Sequence, residues 1–309
     1  MKPGRIVLLG ALALAWLAAP AWAATGGGTS SGESFRLARD ARAVSLGDAY
    51  IALASGADAL DWNPAGMNSV RALQMSASHM SYVQDIGVDT LNLALPIYGL
   101  GAWGLGLDYL YASDSGFDNW GNATGDFNIF DFSAKIAVSF ELPWDMHLGG
   151  LYKILREGYG PQLTMGSAFD LGWQWKNIFN HLDLGITGTN LGTPIALGQT
   201  FGLLPMTVKG GAALHMGEHF LISSDYDYQM VDFVSKLHMG AELGSDAGPF
   251  HVAARGGYTL SPQQDLGGLA GLGVGGGISF GRWTADYAWQ PMGDLGSTHR
   301  ISLTYSSWL

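Results

Sequence analysis

FLISSDYDYQM, residues 220–230, decides how this chain is read. Phe220, Ile222, Tyr226, Tyr228 and Met230 alternate with Leu221, Ser223, Asp225, Asp227 and Gln229, the period of a strand with one apolar and one polar face. The pattern recurs where Trp283, Ala285, Tyr287 and Trp289 oppose Thr284, Asp286, Ala288 and Gln290. It recurs again at Phe169, Leu171, Trp173 and Trp175, and at Met206, Val208, Ala212 and Leu214. A soluble sandwich or half-exposed sheet would put many charges on its outer faces. Here the second face is mostly Gly, Ala, Ser and Thr, which fits an apolar band toward lipid and small or polar side chains toward a lumen. A closed ring of strands is also the only strand-based way to satisfy backbone hydrogen bonds in lipid.

Extending the period outward gives fourteen strands: 72–84, 87–97, 101–113, 126–142, 145–157, 164–176, 182–190, 204–216, 219–230, 235–244, 250–260, 271–281, 283–291 and 298–309. Connections alternate between long outer loops, such as 113–126, 190–204 and 260–271, and short inner turns at Pro143-Trp144, Gly217-Glu218 and Gly281-Arg282. The expected fold is all-β, a 14-stranded antiparallel transmembrane β-barrel over 72–309. The last strand carries Ile301, Leu303, Tyr305 and Leu309 on one face, with Trp308 penultimate.

Composition agrees. Charged residues are 13% of the chain, about half the share in soluble domains, and Gly is roughly doubled at 46 of 309. Lys2 and Arg5, the apolar run from Ile6 to Ala19 and Ala21-Trp22-Ala23 read as a signal peptide over 1–23. No later apolar run is long enough for a transmembrane helix. Without Cys there are no disulfides or thiolate-bound metals. The net charge of −11 becomes −13 once Lys2 and Arg5 leave, which argues against a nucleic-acid partner. Residues 24–34 are Gly-, Ser- and Thr-rich and read as a flexible leader.

Residues 35–71 break the strand period. DARAVSLGDAYIALASGADALDWNPAG, residues 40–66, reads as one helix with Val44, Tyr50, Leu53 and Ala54 apolar and Arg42, Asp48 and Ser55 polar, closed where Pro64 forces Asn63 out of helical geometry. A helical N-terminal plug in the lumen is expected. Its motif residues are Asp40, Arg42, Gly47, Asp48, Asp58, Trp62, Asn63, Pro64 and Gly66.

Asp40-Ala41-Arg42-Ala43, then Gly47, Ala49 and Ala52, then Ala57-Asp58-Ala59-Leu60 and Trp62-Asn63-Pro64-Ala65-Gly66 carry a resemblance. With the following strand they make the chain similar to the PorV/PorQ family of outer-membrane proteins, within the superfamily of FadL-type long-chain fatty-acid transporters. The resemblance implies a fourteen-stranded barrel with its N-terminal segment folded in as a hatch, in the outer membrane of a Gram-negative-type bacterium, in contact with its lipid. It implies two functions. The first expectation is a PorV-like partner for secreted proteins or secretion-machinery components, as in type IX secretion. The alternative is FadL-type passive transport of hydrophobic or amphipathic small molecules.

No catalysis and no cofactor is expected. His215-Met216-Gly217-Glu218-His219 matches the H-x-x-E-H zinc pattern, but on a strand end and turn without the helix that chemistry needs. Gly28 to Gly32 matches G-x-S-x-G only within a Gly/Ser tract, and Gly271 to Gly277 lacks the strand–helix unit that would hold phosphate. The ionisable residues expected in the lumen are Asp131, Lys135, Asp170, Lys209, Asp225, Asp227, Glu242, Arg255, Asp286 and Arg300, with Asp108, Lys153 and Lys236. Their mixed signs point to ion pairs within the wall and with Arg42 or Asp48 of the plug. Outer loops with Phe117, Trp120, Phe201, Leu203 and Leu204 offer apolar groups to a protein partner.

Overall fold

The computed structural model describes residues 30–118, 120–197, 200–261 and 269–307. The expected signal peptide, Trp308 and Leu309 lie outside the described residues. Strands are numbered in chain order: β1 Gln74–Ser81, β2 Gly87–Ile97, β3 Gly101–Phe117, β4 Ala123–Leu142, β5 Met146–Tyr159, β6 Gln162–Ile178, β7 Leu182–Gly192, β8 Ile195–Leu197, β9 Thr200–Gly202, β10 Thr207–His215, β11 Phe220–Gln229, β12 Val234–Ala247, β13 Phe250–Leu260, β14 Leu272–Phe280, β15 Trp283–Pro291 and β16 Ser297–Ser306. All but β8 and β9 form one closed antiparallel barrel of fourteen strands, sealed where β1 pairs with β16 from Gln74↔Ser306 to Ser81↔His299. No helix among the described residues is long and apolar enough to cross a membrane.

Alternation becomes two faces. On β4, Ile136, Val138 and Phe140 are exposed on the outside while Lys135, Ala137 and Ser139 are buried inside. The inner end of the barrel is the one where β1 begins, β16 ends and the hairpins are tight, such as Gly248-Pro249 and Gly281-Arg282. At the outer end the expected loop 113–126 is mostly strand. β3 and β4 run 17 and 20 residues, beyond the ~10 that cross a membrane, and pair as far as Phe117↔Ala123. The loop 190–204 also holds the small hairpin β8–β9, and Ile195 and Leu204 turn inward against Leu155 and Ala168 with Phe35. Leu204 is therefore buried, unlike Phe117, Trp120, Phe201 and Leu203, which stay exposed.

The N-terminal segment lies inside the ring, but not as the single helix expected for 40–66. Two α-helical turns, Ala41–Ser45 and Ala59–Trp62, are linked and followed by tighter turns at Gly56–Asp58 and Pro64–Ser69. Gly47 and Asp48 both take left-handed backbone, φ 61° and 67°, which ends the first turn. Backbone groups that a helix would have paired internally are satisfied by the wall instead. The Tyr50 and Ile51 N–H groups donate to Asp225 Oδ2 at 2.6 and 2.7 Å, and Ala57 N donates to Gln74 Oε1. Gln174 Nε2 donates to Ile51 O and Ala54 O, and Lys176 Nζ to Ala52 O. Leu46, Ile51, Leu60 and Met67 are almost wholly buried, each side chain favouring the packed state by about 1.5–3 kcal/mol relative to exposure.

Candidate functional site

From the outer end the chain descends past residues 35–39, crosses the lumen and leaves at the inner end into β1. Residues 30–34, expected to belong to the flexible leader, are tied to the outer rim, with Ser31 N donating to Leu203 O and Ser30 Oγ to Asp232 Oδ2. Asp40 caps the first helical turn, accepting from Arg42 N at 3.2 Å and Ala43 N at 3.0 Å. Burial, then the nearby Asp286, pushes its carboxyl up to about 6. Burial likewise pushes Asp58 up, with Asp40 adding to the effect.

Small residues of the wall let the plug lie close. A Cβ on Gly257 would overlap the backbone of Leu46 and Gly47, and one on Gly172 would overlap Asn63. Asn63 joins plug to wall, its Nδ2 donating to Trp173 O of β6 at 3.1 Å and Ile186 O of β7 at 3.4 Å while its Oδ1 accepts from Ala65 N. Pro64 follows at the first position of the next turn, and Gly66 packs on the Ala54 carbonyl.

The expected lumen ions come together in groups. Arg42 donates from Nε and Nη2 to both Glu242 oxygens at 3.0 Å, and Arg255 links Glu242 to Asp286. Lys135 bridges Asp61 at 2.5 Å and Asp108 at 2.8 Å, and Arg39 reaches Asp108 at 3.5 Å. Lys153 pairs with Asp170, and Lys209 and His238 both pair with Asp227. Arg300 donates to Ala38 O and Thr298 Oγ1. Asp225 acts as the double acceptor for the plug backbone, and Asp131 is half-buried opposite Glu157.

Of the two plug residues expected as alternatives to pair with the wall, Arg42 does so, through Glu242. Among the described residues Asp48 makes no salt bridge, and the plug carboxylate that pairs with the wall is Asp61, through Lys135. Arg36, Arg39 and Asp61 were missed as wall-binding ions, as was His238. The three-residue spacing of Arg36, Arg39 and Arg42 was the one available signal, since it sets cations along a segment bound for an acidic wall.

Above the plug lies a cavity of about 100 Å³. Its floor is Asp61 and Trp62, one side is residues 35–39, and its walls include Lys153, Asp170, Asn190, Lys209, Asp227 and Lys236. Trp62 stacks edge-on against Tyr50 at 5.7 Å and has Lys209 Nζ 5.4 Å from its ring, so it packs the plug and faces the chamber at once. His215 and His219 lie on either side of the β10–β11 turn, with Gly217 at φ 82°, and His215 Nε2 pairs with Asp183. That is the strand–turn–strand geometry expected from the sequence, without the helix of a zinc peptidase.

No family model and no curated protein matches the chain. Solved structures do share its fold. The CymD monoaromatic hydrocarbon channel is 11% identical, with 88% of this chain and 98% of that chain covered at a TM-score of 0.58. A Pseudomonas aeruginosa FadL homologue is 12% identical over 87% and 98%, TM-score 0.54. The P. putida toluene transporter TodX is 10% identical over 82% and 95%, TM-score 0.54. At such identities the likeness is one of fold: a closed fourteen-stranded antiparallel barrel.

Proposed function

We propose that this barrel is a passive outer-membrane conduit for hydrophobic or amphipathic small molecules, with the N-terminal plug as its hatch. The observation that carries the reading is how the plug is held. It crosses a closed ring of fourteen strands without joining any strand ladder, fixed by side-chain hydrogen bonds, ion pairs and packing that can break without opening the wall. The names of the similar structures, a monoaromatic hydrocarbon channel and a toluene transporter, favour small-molecule transport over the PorV-like secretion role expected first. The membrane lipid meets the exposed apolar face of the strands.

Deletion in the native host tests this. Slower uptake of a hydrophobic compound, with surface proteins still correctly placed, is the expected result. Misplaced surface proteins with unchanged uptake would return the secretion partner to first place.

A further inference from the structure

The chamber above the plug is a poor place for a hydrocarbon. Most of its lining is polar, and several of its deeply buried groups have no hydrogen-bond partner. On the donor side these are Arg36 Nη2, Arg39 Nε and Trp62 Nε1; on the acceptor side, Asp48 Oδ1, Asn190 Oδ1 and Asp227 Oδ1; His238 Nε2, also without a hydrogen bond, lies 3.2 Å from Asp227 Oδ2. Arg39, Trp62, Asn190 and Asp227 are all more than nine-tenths buried. An apolar guest would leave each of them dehydrated and unpaired, which disfavours its binding.

The charges narrow the guest further. Among the ionisable side chains lining the chamber, Arg36, Arg39, Asp61, Lys153, Asp170, Lys209, Asp227 and His238 all belong to salt bridges. Asp48 and Lys236 form none among the described residues. One ammonium and one carboxylate outside those pairs thus line the same small space, without a salt bridge to each other.

We infer that the chamber binds a small zwitterion of the α-amino-acid type. Its carboxylate takes Lys236 and the spare Arg36 and Arg39 N–H groups, and its ammonium takes Asp48 and the spare oxygens of Asn190 and Asp227. Three acceptors without donors match the three N–H bonds of an ammonium group. Charge-assisted hydrogen bonds at both ends make the pair of charges, rather than either alone, the basis of recognition. The chamber holds several waters' worth of space, room for a guest of a few heavy atoms. This inference concerns binding and stands apart from whether hydrophobic molecules pass the barrel.

Calorimetry on the detergent-folded full chain, with L-alanine, propionate and isopropylammonium as probes, tests it. L-Alanine is expected to bind about ten-fold or more tightly than either single-charge compound. Lys236→Met and Asp48→Asn are each expected to remove that preference, and Asn tolerates the left-handed backbone of position 48. No saturable L-alanine binding, a smaller preference, or a preference that survives both substitutions overturns the inference. Should a variant fail to fold, the three-probe comparison on the unaltered chain still decides.

Discussion

The inner and outer halves of the lumen are lined by the same alternating strands yet end in opposite states. In the inner half the wall presents Gly at positions such as 149, 172 and 185, and the plug backbone lies against them with Ile51, Leu60 and Met67 buried. In the outer half the inward positions carry Lys153, Asp170, Lys209, Asp227 and Lys236, and a cavity remains. Removing a Cβ turns a strand face into a seat for another backbone, whereas a long charged side chain holds it off. The size of the inward residue therefore decides whether a stretch of wall makes a seal or a site.

Breaking the seal should give the largest effects. Gly257→Val places side-chain atoms where the Leu46 and Gly47 backbone runs, and about 3 kcal/mol of stability should go, read as a lower denaturant midpoint. Asp225→Ala leaves the Ile51 N–H group buried without an acceptor and the Tyr50 N–H group with the Asp48 carbonyl alone, for a loss of about 2 kcal/mol in the same assay. Asp225→Asn keeps one acceptor oxygen and should lose less than half of that.

A smaller effect is expected at Arg42, where Glu242 retains Arg255. Arg42→Ala should cost about 1 kcal/mol, yet raise single-channel conductance in planar bilayers if this contact helps hold the plug shut. Unchanged conductance would remove Arg42 from that role.

The smallest change concerns pH. A carboxyl raised from 3.8 to about 6 on folding contributes stability that is fully present below 3.8 and is lost as pH rises through 6. Asp40→Asn, which can still cap the helical turn, should match the unaltered chain near pH 3.5 and exceed its melting temperature at about pH 8. Equal melting temperatures at both values would show that Asp40 is not strained by its burial.

The barrel was legible in the sequence because each strand states its own two faces, as Phe220 to Met230 does without reference to any other residue. The plug was less so. Its backbone is organised by Asp225, Gln174 and Lys176, each more than 100 residues away, so local apolar spacing suggested a continuous helix where the fold has separate turns. Arg42 could be placed against the wall from its sign alone. That Asp61 reaches Lys135 depends on which way the chain turns after Gly56. The chamber is hidden for the same reason, being defined by groups left unpaired after every other pair has formed.

The most direct test of the conduit is to lock the plug. Ala41 N donates to Ser302 Oγ of β16 at 2.9 Å, and the chain has no Cys of its own, so Ala41→Cys with Ser302→Cys offers one disulfide between plug and wall. Toluene uptake is then measured in cells producing this variant, oxidised and reduced, against cells lacking the protein. Faster uptake only in the reduced state is the predicted result. Equal acceleration in both states, or none in either, would contradict a hatch that moves to let small molecules through.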